Sequence, residues 1–445
     1  MTDERSDSAD ASITRRGALA LGGATLLAGC GALPNPLASD PVELDGAALA
    51  EIADDEGPAV AYPLPVDVAD AHVAASRERA HEMLSAAPLP LTAADLPNGA
   101  MREALARHAE HAREHLAEAV RATGTRERLE LLAHARGPAR AVEAAWAAIE
   151  DDLTAADVRS ARAAVDEDRR EFRDERAFVG EDPVRALVVH ALVGDWLRDA
   201  ERHLADRPDD SSPTTPITVG ERASEVEQAR ATLADARHVD ERFTASLTDS
   251  RSLAETFTDA RDSLADTIDA RMDDKPAEDA DLGDLVDGAG DLEDTVAGAA
   301  LRDLHGDLPY PGAFVPETDL PGRIRWQVET LAGVGAFETL RDRIAADEHP
   351  TVERARDVEE LRRSAETAVA DALDASADER LARTYLGSLA GWFDYADDDL
   401  DGQVGDDAIE LQWVADEIAL YLRIEVIAGA VPATVDEALA ALGVE

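Results

Sequence analysis

Ile418-Ala419-Leu420-Tyr421-Leu422-Arg423-Ile424-Glu425-Val426-Ile427 forms the centre of an apolar segment that runs from Ile409 to Val431. A helix that is apolar on nearly every side belongs in an interior. Asp416, Glu417, Arg423 and Glu425 interrupt this one, and charges at the centre of a bilayer are costly, so a membrane span is not expected despite the length. The segment is predicted to be the core helix about which a C-terminal bundle is built.

Helical signals extend outward from it. In the C-terminal half, helices are expected at about 219–246, 249–272, 323–346, 351–375, 378–397, 407–430 and 433–442. In the N-terminal half they are expected at about 66–87, 98–123, 125–135, 138–151, 155–178 and 183–206. Asn98 and Thr154 are good N-caps, Asp182-Pro183 opens a helix in the usual way, and Gly124 stops one. Residues 42–56 fit a small helix or a strand equally well. Pro58 to Pro65 must be extended, because proline restricts itself and its predecessor. Asp273 to Gly290 reads as a loop with a helical fragment, and the proline-rich stretch 306–322 as irregular.

Few segments alternate at period two and aromatic residues make up only 4%, so an extensive sheet is excluded. The expected fold class is all-α, as antiparallel helical bundles in two packed subdomains. Pro208, Ser211, Ser212, Pro213 and Pro216 mark 207–218 as the linker between a bundle at 66–206 and a second at 219–445. Gly333 and Gly335 imply a close helix approach. The five tryptophans are expected in the core, and Arg77, on the apolar stripe of its helix, is expected to snorkel outward.

The N-terminus carries different information. Thr14-Arg15-Arg16 precedes Ala18 to Ala28, an uncharged run of Ala, Leu, Gly and Thr, and Leu27-Ala28-Gly29-Cys30 follows. That run is too short for hydrocarbon, which needs ~20 residues, and has the layout of an export signal. Together these features resemble the twin-arginine signal and lipobox of exported haloarchaeal lipoproteins, a resemblance confined to about the first thirty residues. Ala18, where a bulkier residue is usual, and an acidic leader depart from the pattern. The resemblance implies that Arg15 and Arg16 direct export and that residues 1–29 are removed. Cys30 then bears the lipid, and 30–65 forms a tether and irregular segment beyond the outer face of the cell membrane. The membrane, through Cys30, is thus one expected partner.

Composition agrees. The chain carries 95 acidic against 43 basic residues, a net charge of −52, and a single lysine, Lys275. Such a chain repels itself in dilute buffer and is soluble where molar salt shortens the Debye length to ~3 Å. The acidity excludes nucleic acid as a partner, since phosphates need a basic footprint. Cys30 is the sole cysteine, so internal disulfides are excluded.

Two clusters are candidates for metals. His108, His111 and His115 recur at helical spacing, and Glu78 sits three residues before His81 on the preceding helix. Glu-x-x-His resembles half of a carboxylate-bridged di-metal bundle site. His108, His115, Glu78 and His81 are the expected ligands, for zinc or copper. On the helix wheel His108 and His115 flank the apolar stripe of Leu105, Ala112 and Leu116, whereas His111 and Glu114 turn toward solvent. Separately, Asp397, Asp399, Asp401, Gly402 and Gln403 match the first positions of an EF-type calcium loop, with Ala408 where a bidentate acid is expected. The alternative reading of each cluster is a solvated polar helix flank or acidic loop.

No Gly-x-Ser-x-Gly elbow, P-loop or His-Glu-x-x-His occurs. The leading functional expectation is a non-catalytic, lipid-anchored scaffold or interaction module. Behind it stand a metal- or solute-binding lipoprotein and an enzyme whose carboxylates are hidden among surface acids.

Overall fold

The computed structural model describes residues 41–55, 57–150, 152–205, 215–286, 292–310, 319–403 and 408–444. Arg15, Arg16 and Cys30 lie outside the described residues, as does most of 207–218. Met1–Pro41 and Val42–Glu445 are separate units. The elements of the second follow.

Its elements run β1 (Glu43–Leu44), α1 (Gly46–Ala53), α2 (Asp70–Ser85), α3 (Gly99–Arg121), α4 (Thr125–Ile149), α5 (Ala155–Glu175), β2 (Val179–Gly180) and α6 (Pro183–Leu204). There follow α7 (Pro216–Ala245), β3 (Arg251–Ser252), α8 (Ala254–Met272), α9 (Leu282–Leu285), α10 (Val296–Gly306), α11 (Leu320–Ala345), α12 (Ala355–Ala375), α13 (Glu379–Gln403), β4 (Ile409–Glu410) and α14 (Ala415–Ala441). The protein is all-α. Among the described residues the strands form two antiparallel two-residue ladders, β1 with β4 and β2 with β3.

Local chemistry explains most helix starts. Asn98 accepts the Met101 amide, Asp182 those of Val184 and Arg185, and Thr154 shares a capping box with Asp157. Residues 42–55 resolve into both alternatives, a short strand and then a helix capped by Asp45.

Two expected breaks do not occur. α4 runs unbroken through Pro138, and α14 through Pro432. An interior proline costs ~3 kcal/mol. Packing on several sides offsets it: α4 lies among α2, α3 and α7, while α12, α11, α13, α10 and α8 surround α14. Ile418, Tyr421, Leu422 and Ile424 are fully buried, so α14 is the core helix that its composition predicts. By length and composition it also meets the test for a membrane span, but 56% of its most apolar window is buried inside the protein.

The division of the core differs from the expected one. α7 follows the 207–218 segment, yet packs most extensively on α4 and then α6. The reason lies in small residues: a Cβ on Gly220 would sit 2.6 Å from the Ala141 carbonyl oxygen and 2.9 Å from the Ala145 Cβ. The segment 207–218 therefore joins helices of one assembly, and Val42–Glu445 forms one compact unit. A smaller core of α2, α3 and α4 residues (Met83, Leu105, Leu116, Leu132) adjoins a larger one that takes in β1, α1 and residues from α4 to α14.

Other expectations divide. Gly335 does approach α14, 3.3 Å from the Ala430 Cβ for an added Cβ, whereas Gly333 faces open space. Trp196 is buried, Trp146, Trp326 and Trp392 are half-buried, and Trp413 is 67% exposed, against expectation. Arg77 is exposed, as expected.

Candidate functional site

The structure separates the predicted metal ligands. Glu78 and His81 are exposed on α2, which meets α3 only marginally because α4 packs against both. His108 and His115 are half-buried and His111 exposed, as the wheel requires. His115, however, pairs with Glu118 one turn on, at 3.0 Å, and its ring lies 5.8 Å from that of His134. The wheel fixes which way a side chain points but not which helix stands opposite, and the expected half-site on α2 is not opposite.

The predicted calcium loop is a helix. α13 continues through Gln403, and side chains at alternate helical positions diverge by about 200° instead of converging on one ion. Asp399 and Asp401 are exposed, while Asp397 is buried and holds Arg362 at 3.1 Å and the Tyr421 hydroxyl. An internal cation already neutralises the carboxylate that would have led the loop. Among the described residues no group of three or more His, Cys, Asp or Glu is placed to hold a metal ion.

What the helices do assemble is a polar cleft. Two cavities, of about 500 and 350 Å³, share Arg126 and Glu130 of α4. The larger is walled by residues 57–62, the start of α4 and the small residues Gly387, Ala390 and Gly391 of α13. Tyr62 anchors that wall. Its hydroxyl shares a 2.8 Å hydrogen bond with Ser388, its ring fills the space above Gly387, and the Arg126 guanidinium lies 3.9 Å above the ring. Arg126 also donates to Glu130 at 2.8 Å, so a fixed cation stands between the two cavities.

The smaller cavity lies between α4, α6, α7 and α11. From α6 come Asp195, Arg198, Asp199 and Arg202, spaced so that one helical face carries all four. α11 contributes Arg325, and both Arg198 and Arg325 grip the single carboxylate of Asp195. That pairing holds Arg325 above the ordinary guanidinium range despite its burial. Trp196 donates to Glu130 at 3.3 Å. Burial pushes the His134 ring down toward its neutral form.

From α7 comes Asp235, almost wholly buried, with one oxygen 2.5 Å from His72 Nε2. Burial pushes its carboxyl upward, and the His72 hydrogen bond opposes that push. His72 in turn stacks on His238, ring centroids 4.1 Å apart and nearly parallel, and the His238 Nε2 accepts the Ala69 amide at 3.2 Å. Four arginines and four carboxylates therefore line this cavity.

No sequence motif singles these residues out as a site. The signal was the Asp195-Arg198-Asp199-Arg202 stripe, a charged face on an otherwise buried helix. It cannot be weighed without knowing that α7 and α11 close over it.

The fold and cleft define a class: an all-α protein with a charge-lined, solvent-reaching cleft between packed helices. Residues 71–250 match the model of a Domain of unknown function (DUF8262), and residues 254–440 that of a second Domain of unknown function (DUF8264). The first match ends after α7, just before β3, and the second begins with α8, so their border falls at 251–253 instead of 207–218. Neither the curated proteins nor the solved structures give a match to the chain.

Proposed function

We propose that this chain is an exported, lipid-anchored, non-catalytic binding protein that holds a small polar solute in the cleft between α4, α6, α7 and α11. One observation carries the solute reading. In a chain with 95 acids to 43 bases, the cavity lining holds arginine and carboxylate in equal number. A surface shaped by salt tolerance alone has no need of that local balance, whereas a site for a charged ligand does. Export and anchoring rest on the twin arginines Arg15 and Arg16 and on Cys30, with the outer face of the cell membrane as location. The test has two parts. Cys30→Ser should release the full-length protein from the membrane fraction of a halophilic host. Protein equilibrated with a small-molecule extract in molar salt should retain a compound, detected by mass spectrometry after denaturation, that Arg325→Gln does not. Retention of nothing by the wild type overturns the solute reading.

A second reading, an interaction module, is favoured by Tyr395 and Trp413, which are 68% and 67% exposed. Surface crosslinking that depends on these two side chains would support it.

A further inference from the structure

We infer that the smaller cavity takes a zwitterion of the α-amino-acid type, its carboxylate on Arg198 and Arg325 and its ammonium on Asp235 and Glu130; this rests on reading the cleft as a solute site. The two walls differ in sign. On one, two guanidiniums share the Asp195 carboxylate. Each guanidinium has five N–H donors, and a carboxylate accepts about four hydrogen bonds, so donors are in surplus there. The Nε groups of both arginines are buried without a hydrogen-bond partner. The Glu329 carboxylate is 3.5 Å from the Arg325 Nε, close enough for charge but not aligned for a hydrogen bond. That wall is short of acceptors, and a ligand carboxylate supplies two oxygens in the fork geometry guanidinium prefers.

The opposite wall presents two carboxylates, each engaged through one oxygen. Asp235 gives one oxygen, Oδ1, to His72, whose ring is stacked on that of His238. Glu130 accepts from Arg126 and from the Trp196 indole on the same oxygen, Oε1, and a carboxylate has a second oxygen with which to accept. An ammonium presents three donors to such a wall.

The balance of the lining excludes the simpler ligands. A plain anion seated on the arginines would face Asp235 and Glu130, and a plain cation would face Arg198 and Arg325. Opposed like charges in a low-dielectric cleft cost more than the favourable wall returns. A molecule with both charges satisfies both walls. Size agrees: about 350 Å³ holds roughly twelve waters at ~30 Å³ each, which suits a free amino acid.

The test titrates the full chain in molar salt, by calorimetry, with each of the twenty α-amino acids, with acetate as the anion-only probe and with ethylamine as the cation-only probe. At least one amino acid should bind, with acetate and ethylamine at least tenfold weaker. Arg325→Gln and Asp235→Asn should each weaken it at least tenfold. Arg198→Gln, at a half-buried position, should do the same with an unchanged melting temperature, should either of the others fail to fold. Silence from all twenty amino acids overturns the ligand class, as does binding that Arg198→Gln leaves intact or acetate binding as tight as any. If the extract experiment still returns a compound lost in Arg325→Gln, the solute reading stands and only the ligand class falls. If the extract returns nothing, both fall.

Discussion

The Arg362 guanidinium of α12 lies 3.1 Å from the Asp397 carboxylate of α13, and both side chains are at least nine-tenths buried. Arg362 also reaches Glu366 and the Asp55 carbonyl, each at 2.5 Å, and the Tyr421 hydroxyl donates to Asp397. One ion pair thus ties α12, α13, α14 and the end of α1.

Breaking a buried pair from one side leaves an uncompensated charge, at ~3–5 kcal/mol. Asp397→Asn and Arg362→Met should each lower stability by about that much in denaturant titrations. Calcium should leave the wild-type melting temperature in molar salt unchanged. A calcium-dependent rise abolished by Asp399→Ala would sink the helical assignment of this segment.

His190 is fully buried, and its pKa is lowered to about 4, chiefly by burial and further by Arg176. Its Nε2–H donates to the Val179 carbonyl at 2.9 Å, leaving Nδ1 to face Arg176. The unfolded ring binds a proton near pH 6.5 and the folded ring only near 4. The contribution to stability is therefore complete above pH 6.5 and is lost as pH falls toward 4, on the order of 3 kcal/mol in all. His190→Gln, which keeps a donor for Val179, should flatten that part of the pH–stability curve. An unchanged slope would refute the assignment.

Gly194 of α6 supports the N-cap of α11. A Cβ there would lie 2.8 Å from both oxygens of Asp319, which caps Gly322 and pairs with Arg176 at 3.1 Å. Gly194→Ala would add a methyl to a good helix position, worth ~1 kcal/mol on propensity alone. The clash should reverse the sign, for a net loss of about 1–3 kcal/mol. Equilibrium unfolding decides, since a stabilised variant would show that Asp319 moves freely.

Glu227 of α7 is almost wholly buried between Arg136 at 3.0 Å and Arg230 at 2.7 Å. Burial raises its carboxyl, but attraction and hydrogen bonds from Arg136, then Arg230, outweigh that and hold it below the ordinary glutamate value of 4.5. Its stabilisation is present above pH 4.5 and is lost as pH falls through the lower folded value. Glu227→Gln should cost ~3 kcal/mol at pH 7 and much less in strong acid. A cost that stays constant with pH would exclude the ion pair as its source.

Much of this was legible in the residues. Periodicity and caps such as Asn98, Thr154 and Asp182 place most helices within a few residues, because these signals act within one or two turns. The wheel also gives the relative exposure of His108, His111 and His115 correctly. It fails at Pro138 and Pro432, where neighbouring helices hold a local breaker in line, and at Asp397, where a motif of alternating acids is overruled by a buried arginine 35 residues away in sequence.

The sequence by itself determined the all-α class, the central place of the Tyr421 helix and the acidic surface, since these follow from composition and short-range pattern. Only the tertiary structure decided that α7 closes on α4 and that three helices bring Arg198, Arg325, Asp195 and Asp235 around one cavity. Those choices depend on which small residues permit close approach and which charges meet across helices, and no local pattern encodes a distant partner.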